Sequence, residues 1–254
     1  MAKIKTYKKE IPSISTEQMI EVGRLMIEEY NIELIQMMEN AGRCLAILAT
    51  KKFLKKKLPK KRVIVLAGTG GNGGGALVCA RRLHNWGVNV QVFLTAEAEK
   101  MTPIPAHQLG ILERMGMEIQ SGEELLQVAE ADLVIDGIIG YSVKGNPRGL
   151  AKLMIEWANR QSAPVLSLDT PSGLDLSSGT VHTPTVRAAA TLTLALPKHG
   201  LFEPLAMAQR GGLYLGDISV PPALYQAPSL GVEVSNRIFA KSDVVKIQEV
   251  EEEA

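Results

Sequence analysis

The spacing of apolar positions changes character at Arg62. Before it, Ser15 and Gln18 stand three residues apart as a capping box. Met19, Val22, Met26 and Ile27 then recur at helical spacing, which predicts a helix that ends at Asn31. Leu34, Met37, Met38, Ala41, Leu45 and Leu48 predict a second helix over about residues 33–54. From Arg62 onward short apolar, β-branched runs take over. Residues 63–67, 88–94, 117–120, 133–136, 165–169, 189–196 and 213–220 read as strands, the third of them weak. Residues 74–86, closed by Gly87, and residues 104–115 and 150–160 read as helices between them. Near-continuous apolar strands alternating with helices predict a mainly parallel sheet covered on both faces. The fold class is therefore α/β, a Rossmann-like three-layer α/β/α sandwich.

The chain has 254 residues, 46% hydrophobic and 22% charged. That length is enough for one α/β unit with a sizeable core, and no internal repeat or linker divides it. The expected layout is a single domain over 1–254, with its core at about 15–225 and a short acidic, frayed tail at 249–254. The net charge of +1 and an aromatic content of 4% argue against a protein that coats nucleic acid. The basic run at 51–62 reads as a solvated helix end, the nucleic-acid reading being the weaker one. No apolar stretch reaches the roughly 18 residues of a membrane span, and the basic start lacks the apolar core of a secretory signal. Cys44 and Cys79 form neither a disulfide framework nor a zinc motif. The expected setting is reducing and cytoplasmic.

Ligands of open α/β sheets bind beyond the carboxyl ends of the strands. Three loops predicted there carry unusual residues. Residues 68–75 hold six glycines with Thr69 and Asn72, an arrangement that lets backbone N–H groups approach an anion ahead of a helix. Residues 136–145 begin with Asp136 and Gly137, and residues 169–175 begin with Asp169, Thr170, Pro171, Ser172 and Gly173. Each has a plainer reading: a tight turn for the glycines, a turn cap for Asp136, an Asx-turn before Pro171 for Asp169. Gly68, Gly70 and Gly73 match the dinucleotide fingerprint only in part, because the next strand ends without a carboxylate. A Walker A loop and a GxSxG elbow are both absent, and His84, His107, His182 and His199 show no metal spacing.

Five motifs in order, Met38-Glu39-Asn40-Ala41-Gly42, the glycine-asparagine loop, Asp136-Gly137-Ile138-Ile139-Gly140, Asp169-Thr170-Pro171-Ser172-Gly173 and Pro197-Lys198-His199-Gly200, resemble the YjeF N-terminal domain family. That family includes NAD(P)H-hydrate epimerases and apolipoprotein A-I-binding-protein-like members. The resemblance covers about residues 15–225. It implies an isomerase that interconverts the R and S epimers of hydrated NADH or NADPH, so that an S-specific dehydratase on a separate chain can restore the cofactor.

By the same resemblance Asp169 contacts the hydrated nicotinamide and is the acid–base candidate. Gly71, Asn72, Gly73, Gly74 and Gly75 match one substrate-binding segment, and Gly140, Tyr141, Ser142, Val143, Lys144, Gly145 and Asn146 match the other, with Lys144 placed for phosphate. Asn72, Asp136 and Ser172 match the ligands of a bound potassium ion, all oxygen donors as a hard cation prefers. Two positions depart from the family's usual Asn-Asn-Gly-Gly-Asp-Gly: Gly71 replaces its first asparagine and Gly75 its aspartate. Gly23 likewise stands where relatives commonly carry aspartate. These changes imply weakened or redirected ligand binding and leave open an alternative, a catalytically impaired nucleotide-binding or scaffold protein on the same fold. A third reading, an NAD(P)-dependent oxidoreductase, rests on the partial fingerprint. A homodimer is expected from the resemblance and from the apolar helix over 37–48, for which packing against the sheet is the competing account.

Overall fold

The computed structural model describes residues 3–128 and 130–248. The acidic tail expected to fray lies outside the described residues. The elements run β1 (Thr6–Tyr7), α1 (Thr16–Glu28), α2 (Leu34–Leu48), β2 (Arg62–Ala67), α3 (Gly71–Asn85), β3 (Asn89–Leu94), α4 (Pro103–Arg114) and β4 (Ile119–Ser121). They continue with β5 (Leu133–Gly137), α5 (Gly149–Arg160), β6 (Val165–Leu168), β7 (Ala190–Leu194), α6 (Pro204–Arg210), β8 (Gly212–Gly216) and β9 (Val244–Ile247). All strands join one sheet in the order β1-β9-β8-β7-β6-β5-β2-β3-β4, parallel throughout except where β9 runs antiparallel to β8.

The capping box forms as expected: the Ser15 hydroxyl accepts from the Gln18 N–H, and the Gln18 side chain accepts from the Ser15 N–H. The helix expected to reach residue 54 is α2 followed without a break by a π-helical turn, Ala49–Leu54. Strand side chains alternate between two cores. Val63, Val65, Ile135 and Leu166 pack under α2, α3 and α4 with Leu45, Leu77 and Leu109. Ile64, Leu66 and Val134 face the other way, against Met154, Ile155 and Trp157 of α5. These are the three layers. Among the described residues no helix is long and apolar enough to cross a membrane.

Two expectations change. The helix expected to open at residue 74 opens at Gly71 with Gly70 as its N-cap, so most of the glycine segment is helix rather than loop. Its glycines let α3 lie directly on α2: a Cβ on Gly74 would meet Met38 Sδ at 2.4 Å, and one on Gly42 would meet Val78 Cβ at 2.4 Å. The strand expected over 213–220 stops at Gly216, and the chain then leaves the sheet before returning as β9.

Candidate functional site

The site is assembled where β2, β5, β6 and β7 end side by side. Asp136 lies on β5, wholly buried. Its Oδ1 accepts from the Ser172 hydroxyl at 2.5 Å and the Ile138 N–H at 3.2 Å, and its Oδ2 from the Ser167 hydroxyl at 2.7 Å and the Ser172 N–H at 2.9 Å. Burial pushes this carboxyl above the usual aspartate range, against the pull of those hydrogen bonds.

Asp169 follows the last residue of β6 with φ at 62°, a left-handed conformation that Asp tolerates better than most side chains. The turn is held by the Asp169 N–H donating to Leu192 O at 2.7 Å and the Thr170 N–H donating to Leu168 O at 2.7 Å. It folds the carboxylate back over the end of β7. There Oδ1 takes the ammonium of Lys198, the Thr193 hydroxyl at 3.2 Å and the Leu194 N–H at 3.3 Å. Lys198 is 0% exposed and Asp169 3%, so this is an ion pair away from water. The ammonium also donates to Leu194 O at 3.1 Å and Thr193 Oγ1 at 3.3 Å. Among the described residues no hydrogen bond reaches Oδ2, and Asp169 lines a cavity.

That cavity has a volume of about 310 Å³ and apolar walls from α1 and α2, including Met19, Met37 and Met38. A second cavity of about 370 Å³ lies over the start of α3 and is lined by Thr69, Thr95 and Ser142 among others. Gly71, Asn72 and Tyr141 border both, so the two adjoin. Tyr141 has its phenol pushed up by burial and then by the negative charge of Asp169, and it stays a neutral hydrogen-bonding group at neutral pH. The first turn of α3 points backbone N–H groups without intrahelical partners toward this region, as an anion-binding helix start does.

The structure thus brings together Gly71, Asn72, Gly140, Tyr141, Ser142 and Asp169 around the two cavities. Gly73, Gly74 and Gly75 are buried inside α3, where they set its approach to its neighbours; a Cβ on Gly75 would meet Leu168 Cδ2 at 2.6 Å. Gly71 and Gly23 have nothing within 4 Å of a built Cβ, so both positions leave open space at the apolar cavity. Val143, Lys144, Gly145 and Asn146 do not line either cavity. Lys144 is exposed, and the Asn146 side-chain oxygen accepts from the Thr183 N–H at 3.0 Å.

The three oxygen-donor residues matched to potassium are linked through one backbone stretch. The Ser172 hydroxyl accepts from the Ile139 N–H at 2.8 Å, and the Asn72 amide abuts Gly140, where a Cβ would stand 2.6 Å from Oδ1. All acceptor positions of Asp136 are filled by the protein's own donors. The Ser172 hydroxyl also has a second, longer acceptor in Ile139 O at 3.2 Å. By the chemistry of their side-chain oxygens the three residues suit a hard monovalent cation. Among the described residues no three His, Cys, Asp or Glu side chains cluster as a transition-metal site would require.

The motif that contains Lys198 gives this residue no role from the sequence alone. Its partner is 29 residues away on another strand end, and no local spacing signals such a pair. The methionines of α1 and α2 that wall the cavity carry no signal for it in the sequence, where helical spacing marks them only as an apolar face.

Residues 34–200 match the family model described as YjeF-related protein N-terminus. The chain belongs to this family. It is 42% identical over 224 residues to the NAD(P)H-hydrate epimerase of Dehalogenimonas lykanthroporepellens, covering 87% of each chain. It is 33% identical over 216 residues to the NAD(P)H-hydrate epimerase of Rhodopirellula baltica, covering 84% of this chain and 86% of that one. The bifunctional NAD(P)H-hydrate repair enzyme Nnr of Moorella thermoacetica is 34% identical over 218 residues, and there the match spans 83% of this chain but 41% of that protein. Among solved structures, yeast YNL200c superimposes with a TM-score of 0.77 at 26% identity, covering 93% of this chain and 100% of that one. The family's sheet is thus this chain's sheet.

Proposed function

We propose that this protein is an NAD(P)H-hydrate epimerase, an isomerase of metabolite repair that interconverts the R and S epimers of hydrated NADH or NADPH. The observation that carries the reading is Asp169, a buried carboxylate with one oxygen fixed by Lys198, Thr193 and Leu194 and the other left to an apolar cavity beside a helix start. Relatives that match over most of their length bear the epimerase name.

The chemistry needs little more. In the hydrated ring, C6 carries a hydroxyl next to an amine nitrogen, whose lone pair expels the oxygen once it is protonated. The C6–O bond breaks, water departs, and a planar iminium remains. Water then adds to the opposite face and gives up a proton. Lys198 passes the proton it shares with Asp169 through the carboxylate to the leaving oxygen, and Asp169 accepts the proton of the added water as one returns to Lys198, so the pair ends each cycle with the protons it began with. The apolar walls limit competing solvent around the cation. The start of α3, with Gly71 and Asn72, receives the phosphates.

The proposal includes a potassium ion held by Asn72, Asp136 and Ser172, whose role is to fix the 139–140 backbone that borders both cavities. It also includes a cytoplasmic setting and a separate S-specific dehydratase as functional partner. The homodimer rests on the resemblance alone, because α2 buries Met37, Met38, Ala41, Cys44, Leu45 and Leu48 within the chain. Sedimentation equilibrium tests it, and a monomer at micromolar concentration removes it.

The deciding experiment offers pure R-NADHX to the protein with potassium present and reads NADH recovery through an S-specific dehydratase at ~340 nm, with spontaneous epimerisation subtracted. Acceleration that is lost in Asp169→Asn supports the reading. A folded wild-type protein that gives no acceleration overturns it.

A further inference from the structure

The largest of the concave surfaces described, about 650 Å³, is lined by Lys3, Lys51, Lys52, Lys55, Lys56 and Lys246, with Thr6 and Tyr214 between them. These lysines come from three separate parts of the chain: the N-terminal segment, the π-helical turn after α2 with the residues that follow it, and β9. The register brings them together, since Lys246 pairs with Thr6 on one side and with Tyr214 on the other. Among the described residues no carboxylate lines the groove, and no ion pair involves these six lysines.

Six ammonium groups around one hollow repel one another, and a concave wall of low dielectric concentrates their field. The chain as a whole carries only +1, so this is a local concentration and not a general excess. Lys52 is also oriented: its ammonium lies 5.3 Å from the centre of the Phe53 ring and 5.5 Å from that of Tyr214. Those rings sit beneath a lysine, with Tyr214 buried, so they offer no open platform for stacking bases. The groove therefore favours a compact, highly charged anion over a single-stranded nucleic acid. It is separate from the Asp169 site. No residue lines both, and Met38 and Lys52 are 14 residues apart along a nearly continuous helix, about 20 Å.

We propose that this groove binds a triphosphate chain, free or carried by a nucleoside. Several phosphates in one small molecule match several lysines in one hollow, and Thr6 adds a neutral donor. The proposal stands whether or not the Asp169 site epimerises its substrate.

The test is calorimetric titration of the full-length protein at low salt with sodium tripolyphosphate, with ATP in a parallel arm and orthophosphate as control. We expect one site for tripolyphosphate, far weaker binding of orthophosphate, and affinity that falls steeply with added salt. Equal affinity for ATP points to the inorganic chain as sufficient, and tighter binding of ATP to a nucleoside-borne one. The variant Lys51→Gln/Lys55→Gln/Lys56→Gln, which leaves the stacked Lys52 in place, should bind at least about tenfold more weakly, because three charge pairs are lost together. Its epimerisation of R-NADHX should match wild type. No binding at millimolar tripolyphosphate overturns the proposal, and so does unchanged affinity in the triple variant. Displacement of tripolyphosphate by a lower concentration of single-stranded oligonucleotide also overturns it, by giving the groove to nucleic acid.

Discussion

Asp169 and Lys198 stand or fall together, and a double-mutant cycle measures by how much. Replacing Lys198 with Met keeps most of the side-chain volume and removes the ammonium. Asp169, 3% exposed, would retain only the Thr193 hydroxyl and the Leu194 N–H. Removing one member of a buried ion pair costs about 3–5 kcal/mol, because a charge is left without its partner. Asp169→Asn does the same to Lys198, which keeps neutral acceptors in Thr193 and Leu194. Each single variant should therefore lose about 3–5 kcal/mol, a large share of the roughly 5–15 kcal/mol that holds a typical domain together. The double variant Asp169→Asn/Lys198→Met leaves no unpartnered charge at this site, so its loss should be smaller than the sum by several kcal/mol. Urea denaturation followed by circular dichroism reads these differences, with equal slopes as the check that the unfolded states match. Costs that add to within about 0.5 kcal/mol would refute the coupling. The double variant has a second use. It should be folded and yet inactive on R-NADHX, which separates loss of the acid–base group from loss of the fold.

Gly42→Ala should destabilise the protein by about 1–3 kcal/mol through overpacking, because the new Cβ lands 2.6 Å from Gly75 O as well as against Val78; an unchanged urea midpoint would show that α2 and α3 do not cross so closely. Ser15→Ala should cost about 1 kcal/mol through loss of the α1 cap, read in the same melts, and a loss of zero would count against the capping geometry. Exchanging potassium for choline should lower both the melting temperature and the epimerisation rate, and Asp136→Asn and Ser172→Ala should abolish that response; a response surviving in both variants removes the proposed ligands. Asp132 is held below the usual carboxylate range first by Lys61 and then by the Arg62 N–H. Its stabilisation is complete above the ordinary aspartate value of about 3.9 and is lost as the pH falls through the lowered value in the folded state. Asp132→Asn should thus cost about 1 kcal/mol or less at pH 7, and the gap to wild type should close with acidification below that value; a gap independent of pH contradicts the assignment.

What the sequence made legible was what local rules encode. The Ser15–Gln18 box needs only residues three apart, and β2, β5 and β6 announce themselves as apolar runs because both of their faces are buried. The carboxylates Asp136 and Asp169 were visible as polar residues at or just beyond the ends of such runs. Elements that owe their state to neighbours were not visible. β1 is two residues long and exists because β9 lies beside it; α6 has exposed Leu205 and Met207 and too few buried positions to show a period. The glycine segment failed for a different reason. Glycine costs about 1 kcal/mol per helical position relative to alanine, which argues for a loop. Packing against Met38 and Leu168 overrides that cost, because only a residue without a side chain admits α3 there.

The two strand-end carboxylates also show why residue type and position stop short of chemistry. By residue type and place alone, apart from the family resemblance, Asp136 and Asp169 are equivalent: each ends a buried strand ahead of a glycine-containing turn. In the fold they receive opposite treatment. Asp136 is met by four neutral donors, two on each oxygen, and is wholly buried. It can hold the loops together, but it lines neither cavity. Asp169 is met by a cation and two neutral donors, all on one oxygen. That asymmetry costs a left-handed backbone at Asp169 and a buried lysine at Lys198. In return it gives one carboxylate oxygen of fixed direction, free to exchange a proton in an apolar hollow. The chemistry is therefore assigned by how donors are shared between two oxygens, which depends on residues from β7 and the segment after it that no motif around Asp169 contains.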